Sequence, residues 1–202
     1  MIRCILYDLD GVLVDACEIH YEAFNQALMD VYGFKLSRRE HEATFNGLPT
    51  KTKLEILHRQ GRAETSRYVE MYDAKQTYTW EQVDMMYTDP IKVDLHTKTR
   101  HLGLKLGCVT NCILLSAEKM LLHTGQHEFM DILLSNEDVA HPKPNSEGYV
   151  TAMVRLGMEP AETLIVEDSP KGLEAARATG ARVLEVANAT EVTWDTMREA
   201  IK

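Results

Sequence analysis

The sequence predicts a doubly wound α/β core, a parallel sheet covered by helices on both faces, with a small helical domain inserted after the first strand. Three observations carry that expectation. Five short apolar runs, at residues 2–7, 104–109, 132–134, 164–166 and 183–186, are near-continuous rather than alternating, as buried parallel strands are. Helix-patterned segments separate the later runs, and strands alternating with helices define a doubly wound sheet with right-handed crossovers. Residues 16–87 break the alternation and show no strand pattern at all.

Taken in order, the first strand closes on Asp8 and Asp10. Ala16, Ile19, Ala23, Phe24, Ala27, Leu28 and Val31 then form one helical stripe that stops at Gly33. Asp15 is expected to cap that helix. Ser37 and Glu40 have the spacing of a capping box for a second helix. Thr50 is placed to cap a third, with Leu54 and Leu57 on one face and Gly61 beyond it, and a more polar fourth helix is expected over residues 64–87. The chain re-enters the core near Asp89-Pro90. Later, Tyr149, Ala152, Met153 and Leu156 recur at helical spacing before Gly157. Ser169-Pro170 opens a last well-marked helix as an N-cap and first-turn proline, with Gly180 as its stop. The domain reading is therefore a core of residues 1–15 and 89–202, with residues 16–88 as a helical cap.

Composition narrows the function. At 202 residues, 45% apolar and 26% charged, the chain has the profile of a globular protein with one core and an insertion. A net charge of -9 argues against a nucleic-acid partner, whose phosphates need Lys and Arg. No apolar run reaches membrane-spanning length, the start lacks the layout of a signal peptide, and no protein partner is evident, so a cytoplasmic location is expected. Cys4, Cys17, Cys108 and Cys112 form no C-x-x-C pair and are read as reduced packing residues. His123 and His127 lie at i, i+4 without accompanying ligands and read as a solvated helix end rather than zinc.

The polar residues that matter fall at strand ends. The first strand runs into Asp8 and Asp10, the next core strand into Thr110 and Asn111, and the fourth into Glu167 and Asp168. In a parallel sheet these ends share one edge, where open α/β folds bind ligands. Four carboxylates converging there raise one another's pKa unless a cation compensates. A hard divalent cation with oxygen ligands fits best, and Mg²⁺ pairs one or two carboxylates with water and a substrate phosphate. Lys143, between two prolines, offers a fixed positive charge beside it. Asp8 next to such a cation is suited to nucleophilic attack on phosphorus, since carboxylates form acyl-phosphates. Asp10, beside the turn-permitting Gly11, is suited to protonating the leaving alcohol and then activating water.

Asp8-Leu-Asp-Gly-Val-Leu-Val-Asp15, Thr110-Asn111, Lys143-Pro144 and Glu167-Asp-Ser-Pro170 with Gly172 together resemble the haloacid dehalogenase superfamily, and within it the β-phosphoglucomutase-like phosphatase branch. The resemblance implies a Rossmann-like core and a Mg²⁺-dependent phosphatase acting on a small phosphorylated metabolite through an aspartyl-phosphate on Asp8. It implies Asp8 as nucleophile and metal ligand, Asp10 as general acid/base binding metal through its carbonyl, and Asp168 as ligand with Glu167 beside it. Thr110, Asn111 and Lys143 would hold the transferring phosphoryl group, and the helical insertion would close over the substrate. Dehalogenase chemistry is disfavoured, because Asp10 fills the acid/base position that dehalogenases lack.

Two alternatives stand beside the phosphatase reading. A sugar-phosphate mutase is favoured by His20, which follows Asp15 as a histidine does in the mutase branch. It is opposed at Thr50, where that branch has a phosphate-gripping arginine three residues after the cap glycine, here Gly47; Lys51 and Lys53 are the nearby cations. A second departure, Asn145-Ser146 in place of a further proline, is read as harmless. The other alternative is a non-catalytic binding protein on the same fold.

Overall fold

The computed structural model describes residues 1–202. In chain order the elements are β1 (Cys4–Tyr7), α1 (Cys17–Tyr32), α2 (Arg38–Glu40), α3 (Thr50–Arg59), α4 (Tyr68–Val83), α5 (Pro90–His101), β2 (Lys105–Val109), α6 (Leu114–His123), β3 (Ile132–Leu134), α7 (Glu147–Leu156), β4 (Thr163–Glu167), α8 (Pro170–Ala178), β5 (Arg182–Glu185) and α9 (Trp194–Ile201). The chain divides into two compact units, Met1–Asp15 with Met86–Lys202, and Ala16–Met85.

The first unit is the α/β core. Its five strands are parallel throughout, in the order β3-β2-β1-β4-β5, and each predicted strand is present within two residues of its expected bounds. The central strand, β1, is buried on both faces, which is why Cys-Ile-Leu-Tyr carries no polar alternation. Cys4 and Leu6 pack with Tyr149, Ala152 and Met153 of α7 and Ala175 and Ala176 of α8. Tyr7 points the other way and meets the ring of His96 on α5 edge-on at 5.5 Å. One residue's offset along a strand reverses the face, so α5 covers the side opposite α7 and α8. A Cβ added to Gly148 would lie 2.9 Å from Val109 Cγ1, so glycine there lets α7 lie tight against β2.

The second unit is helical. Phe24, Ala27, Leu28 and Val31 of α1 form its core with Leu54 and Leu57 of α3 and Met71 of α4. Gly33, left-handed at φ 75°, ends α1 as expected. Several local expectations need correction. Asp15 does not cap α1: Ala16 holds that position, without a side-chain cap. Ser37 Oγ accepts the Glu40 amide at 3.2 Å, but the helix it starts is a single turn that widens into a π turn at His41–Phe45. Thr50 is the first residue of α3 and Pro49 its N-cap, because extended Pro49 (φ -57°, ψ 147°) delivers the chain directly into the helix. The fourth helix, preceded by a 3₁₀ turn, ends at Val83, short of Tyr87. In the core, Asp89 caps α5 through Ile91 and Lys92, with Pro90 in the first turn, and Ser169 caps α8 through Gly172. No helix is long and apolar enough to cross a membrane.

Candidate active site

The strand order places the site. Ends of β2, β1 and β4 lie side by side, so whatever follows them shares one edge of the sheet. Asp8 continues the ladder, its amide donating to Val166 O at 3.0 Å, and Thr110 does the same toward Leu134 O at 2.9 Å. The order reverses between β1 and β4, which is where doubly wound sheets open a crevice. Asp8 and Asp168 flank it.

The turn after β1 fixes Asp10. Gly11 N donates to Val14 O at 2.7 Å, while Leu13 and Val14 amides return to Leu9 O, folding the segment into a tight hook over buried Leu9, Val12 and Leu13. Gly11 has φ +87°, and a Cβ there would lie 2.0 Å from Asp168 Oδ2. Only glycine satisfies both the left-handed backbone and the approach of that carboxylate. Asp10 Oδ2 accepts from Cys112 Sγ at 3.4 Å, so one of the four free cysteines touches the site rather than serving only as packing.

Lys143 is the hub. Its buried ammonium donates to Asp8 Oδ1 at 2.6 Å, to Glu167 Oε1 at 2.6 Å and to Tyr149 Oη at 2.8 Å. Asn111 holds the backbone of Lys143 from both sides: its Nδ2 donates to Lys143 O at 3.1 Å and its Oδ1 accepts from Lys143 N at 3.0 Å. The Thr110 hydroxyl, buried, accepts the Cys112 amide at 3.0 Å. Glu167 is fully enclosed. Its Oε1 takes Lys143 and Tyr149, and its Oε2 takes the amides of Asp168 and Ser169 together with Ser169 Oγ. A Cβ on Gly172 would fall 1.9 Å from Glu167 Oε1, which explains a glycine in the first turn of α8.

Charge does not balance here. Three carboxylates, Asp8, Glu167 and Asp168, crowd the Lys143 ammonium. Burial, then Glu167, raises Asp8 well above the usual carboxylate range even against the pull of Lys143. Burial and Glu167 likewise push Asp168 up to about 7. Burial alone would depress Lys143, yet Asp8 and Glu167 outweigh it and hold the ammonium charged. Asp8, Glu167 and Asp168 offer oxygens within 4.8 Å of one another, and Asp168 Oδ1 is buried with no hydrogen-bond partner. An all-oxygen donor set with an unsatisfied carboxylate oxygen fits a hard divalent cation.

The remaining predicted residues, His20, Thr50 and Lys51, lie in the helical unit. His20 Nδ1 is 3.4 Å from Lys75 Nζ. Thr50 is half-buried, Lys51 exposed, and Lys53 buried with its ammonium 5.1 Å from the centre of the Phe24 ring. Sequence reasoning did not single out Lys75, nor Tyr149, which it read only as part of an apolar stripe. A tyrosine six residues after Lys143, in the first turn of a helix, was the available signal, because a buried phenol needs a hydrogen-bond partner.

Comparison with known proteins shows the family. The family model for haloacid dehalogenase-like hydrolases matches residues 5–186, and the chain belongs to that family. Among relatives, the protein CbbY of Rhodobacter capsulatus is 27% identical, over 91% of this chain and 84% of its own length. The pyrophosphatase PpaX of Bacillus velezensis is 28% identical, over 92% and 83%. A solved β-phosphoglucomutase from Clostridium difficile shares the fold at a TM-score of 0.86 and 19% identity, covering 100% of this chain and 97% of that one.

Proposed function

We propose that the protein is a Mg²⁺-dependent phosphatase that hydrolyses a small phosphorylated metabolite through an aspartyl-phosphate on Asp8. The observation that carries this reading is the Lys143 ammonium bridging Asp8 and Glu167 in a buried site that still holds an excess of carboxylate. Family membership and relatives named as phosphatases support it.

Asp8, Asp168 and the Asp10 carbonyl would hold the ion, with Glu167, whose oxygens are already engaged, orienting Asp168 and Lys143 from behind. Bound there, Mg²⁺ supplies the positive charge that keeps Asp8 ionised and offsets the charge on the phosphoryl oxygens. In the first step an Asp8 oxygen attacks phosphorus, the bond to the ester oxygen breaks, and Asp10 gives its proton to the departing alkoxide. In the second, Asp10 takes a proton from water, the water oxygen attacks phosphorus, and inorganic phosphate leaves with Asp8 restored. Lys143 holds the Asp8 carboxylate in one rotamer and adds fixed positive charge where charge accumulates. The Thr110 hydroxyl keeps its proton to donate to a phosphoryl oxygen. Asn111 acts by fixing the Lys143 backbone.

A mutase reading has one observation in its favour: Lys53 and Lys75 are buried cations in the helical unit, and Lys75 reaches His20. Against it, Thr50 stands where a bidentate arginine would fix a second phosphate in direction as well as place.

The test is phosphate release from an aryl phosphate and a panel of phosphorylated metabolites, with Mg²⁺ and with excess chelator. Release that chelation abolishes and Mg²⁺ restores is the expected result, with Ca²⁺ a poor substitute because it takes more oxygen ligands. Full activity in excess chelator would remove the ion from the mechanism. With β-glucose 1-phosphate and a trace of the 1,6-bisphosphate, isomerisation far outrunning phosphate release would establish the mutase instead.

A further inference from the structure

We infer that Tyr149 is the positioning residue that holds the Lys143 ammonium in place while Asp8 changes its charge, an inference that rests on the phosphatase reading. A lysine ammonium has three N–H donors and no acceptor. Here Asp8 Oδ1, Glu167 Oε1 and Tyr149 Oη take all three, at 2.6, 2.6 and 2.8 Å. The reaction treats these acceptors differently. Asp8 gives an oxygen lone pair to phosphorus, loses its negative charge and becomes a weaker acceptor. Glu167 and Tyr149 undergo no covalent change.

Tyr149 also closes the triangle, since its hydroxyl donates to the same Glu167 oxygen at 2.7 Å. The phenol thus accepts from the lysine and donates to the carboxylate, and neither bond can be exchanged without stranding a buried polar group. Its ring is fully buried among Leu6, Val109, Leu134 and Ile165, and the ammonium sits 4.6 Å from the ring centre. Close packing beside Gly148 fixes the helix that carries it. Core packing therefore places the hydroxyl, and the hydroxyl places the ammonium. Without it, one N–H of Lys143 has no acceptor, and the ammonium moves toward whichever carboxylate bears more charge at that moment.

Tyr149→Phe keeps the ring and removes only the hydroxyl. The expected result is a loss of about tenfold in kcat, the scale of one charge-assisted hydrogen bond, on aryl and alkyl phosphates alike, with KM changed less than about threefold. A residue needed only for packing would lower the melting temperature and leave kcat alone. A second readout needs no turnover. In wild-type protein labelled with ¹⁵N-lysine, Lys143 should give a slowly exchanging ammonium signal both free and with beryllium fluoride and Mg²⁺ bound. In Tyr149→Phe that signal should broaden or vanish. Wild-type kcat in the variant, a loss confined to KM, or a wild-type ammonium that exchanges freely in the fluoride complex would each overturn the inference. Should no phosphate ester be hydrolysed by the wild type, the phosphatase reading falls, and the free-protein ammonium signals of wild type and variant still decide whether Tyr149 holds Lys143.

Discussion

At Asp8 and Asp10 the same residue type stands in two environments, and the environments set different tasks. Asp8 is buried and clasped by Lys143, so Asp8→Asn preserves an acceptor for the ammonium while removing the proposed nucleophile. The fold should persist and turnover should fall by at least about a hundredfold, because an amide cannot form the acyl-phosphate. Asp10 is held by the Gly11 hook, and its Oδ2 accepts from Cys112 Sγ. Asp10→Asn should slow alkyl phosphates by about 10²–10⁴, the usual range for a general acid/base, and aryl phosphates far less, since a good leaving group needs little protonation. Equal losses on both substrates in steady-state assays would leave Asp10 a purely structural role. Each of these residues could be found in the sequence because it follows an apolar run. Tyr149 could not be found that way, since its ring belongs to the core and only its hydroxyl to the site.

The elements that meet at the site were legible for the same reason: β1, β2 and β4 are buried on both faces, and their unbroken apolar runs mark them. Less visible were the contacts that make certain glycines obligatory. Gly172 was noticed only as part of a motif, yet a side chain there would enter the space of Glu167. Gly172→Ala should therefore cost about 1–3 kcal/mol of stability through overpacking, read as a lower urea midpoint, and should also lower kcat by displacing Glu167 from Lys143. An unchanged midpoint with unchanged kcat would show that Glu167 has room to move. In and beside the helical unit the expectations differ from the structure at helix ends. Thr50, Asp15 and residues 84–87 were misplaced because capping depends on backbone geometry that residue type alone does not fix.

For the whole molecule, the doubly wound architecture followed from alternating strands and helices, while the strand order and the buried polar contacts did not. His96 is one of these. Its Nε2 lies 2.9 Å from Gln126 Oε1, and Gln126 Nε2 in turn donates to Leu13 O in the hook that carries Asp10. Tyr7 and Phe129 pack on its ring, and Lys92 and Asp89 are the charged groups that face it. Burial first, with Lys92 adding, lowers the imidazole to about 4 despite the Gln126 contact. An unfolded histidine takes its proton below about 6.5, so between roughly pH 6.5 and 4 the unfolded state binds more protons and stability is lost as pH falls. Relative to His96→Gln, the wild type should lose about 1–2 kcal/mol between pH 6.5 and 5 in chemical denaturation, and nothing above pH 7. The comparison cancels Asp168, whose raised value acts in the opposite direction and is common to both proteins. Parallel stability curves would show that His96 is protonated equally in both states.

The covalent intermediate on Asp8 is the claim on which the rest depends, and chemical trapping tests it most directly. Protein turning over an aryl phosphate with Mg²⁺ is quenched in acid, reduced with borohydride, digested and sequenced by mass spectrometry. An acyl-phosphate is reduced to an alcohol, so the peptide containing Asp8 should carry homoserine at that position, and no other carboxylate should be altered. Steady release of phosphate with Asp8 unmodified at every quench time would contradict the account and point to direct attack by water.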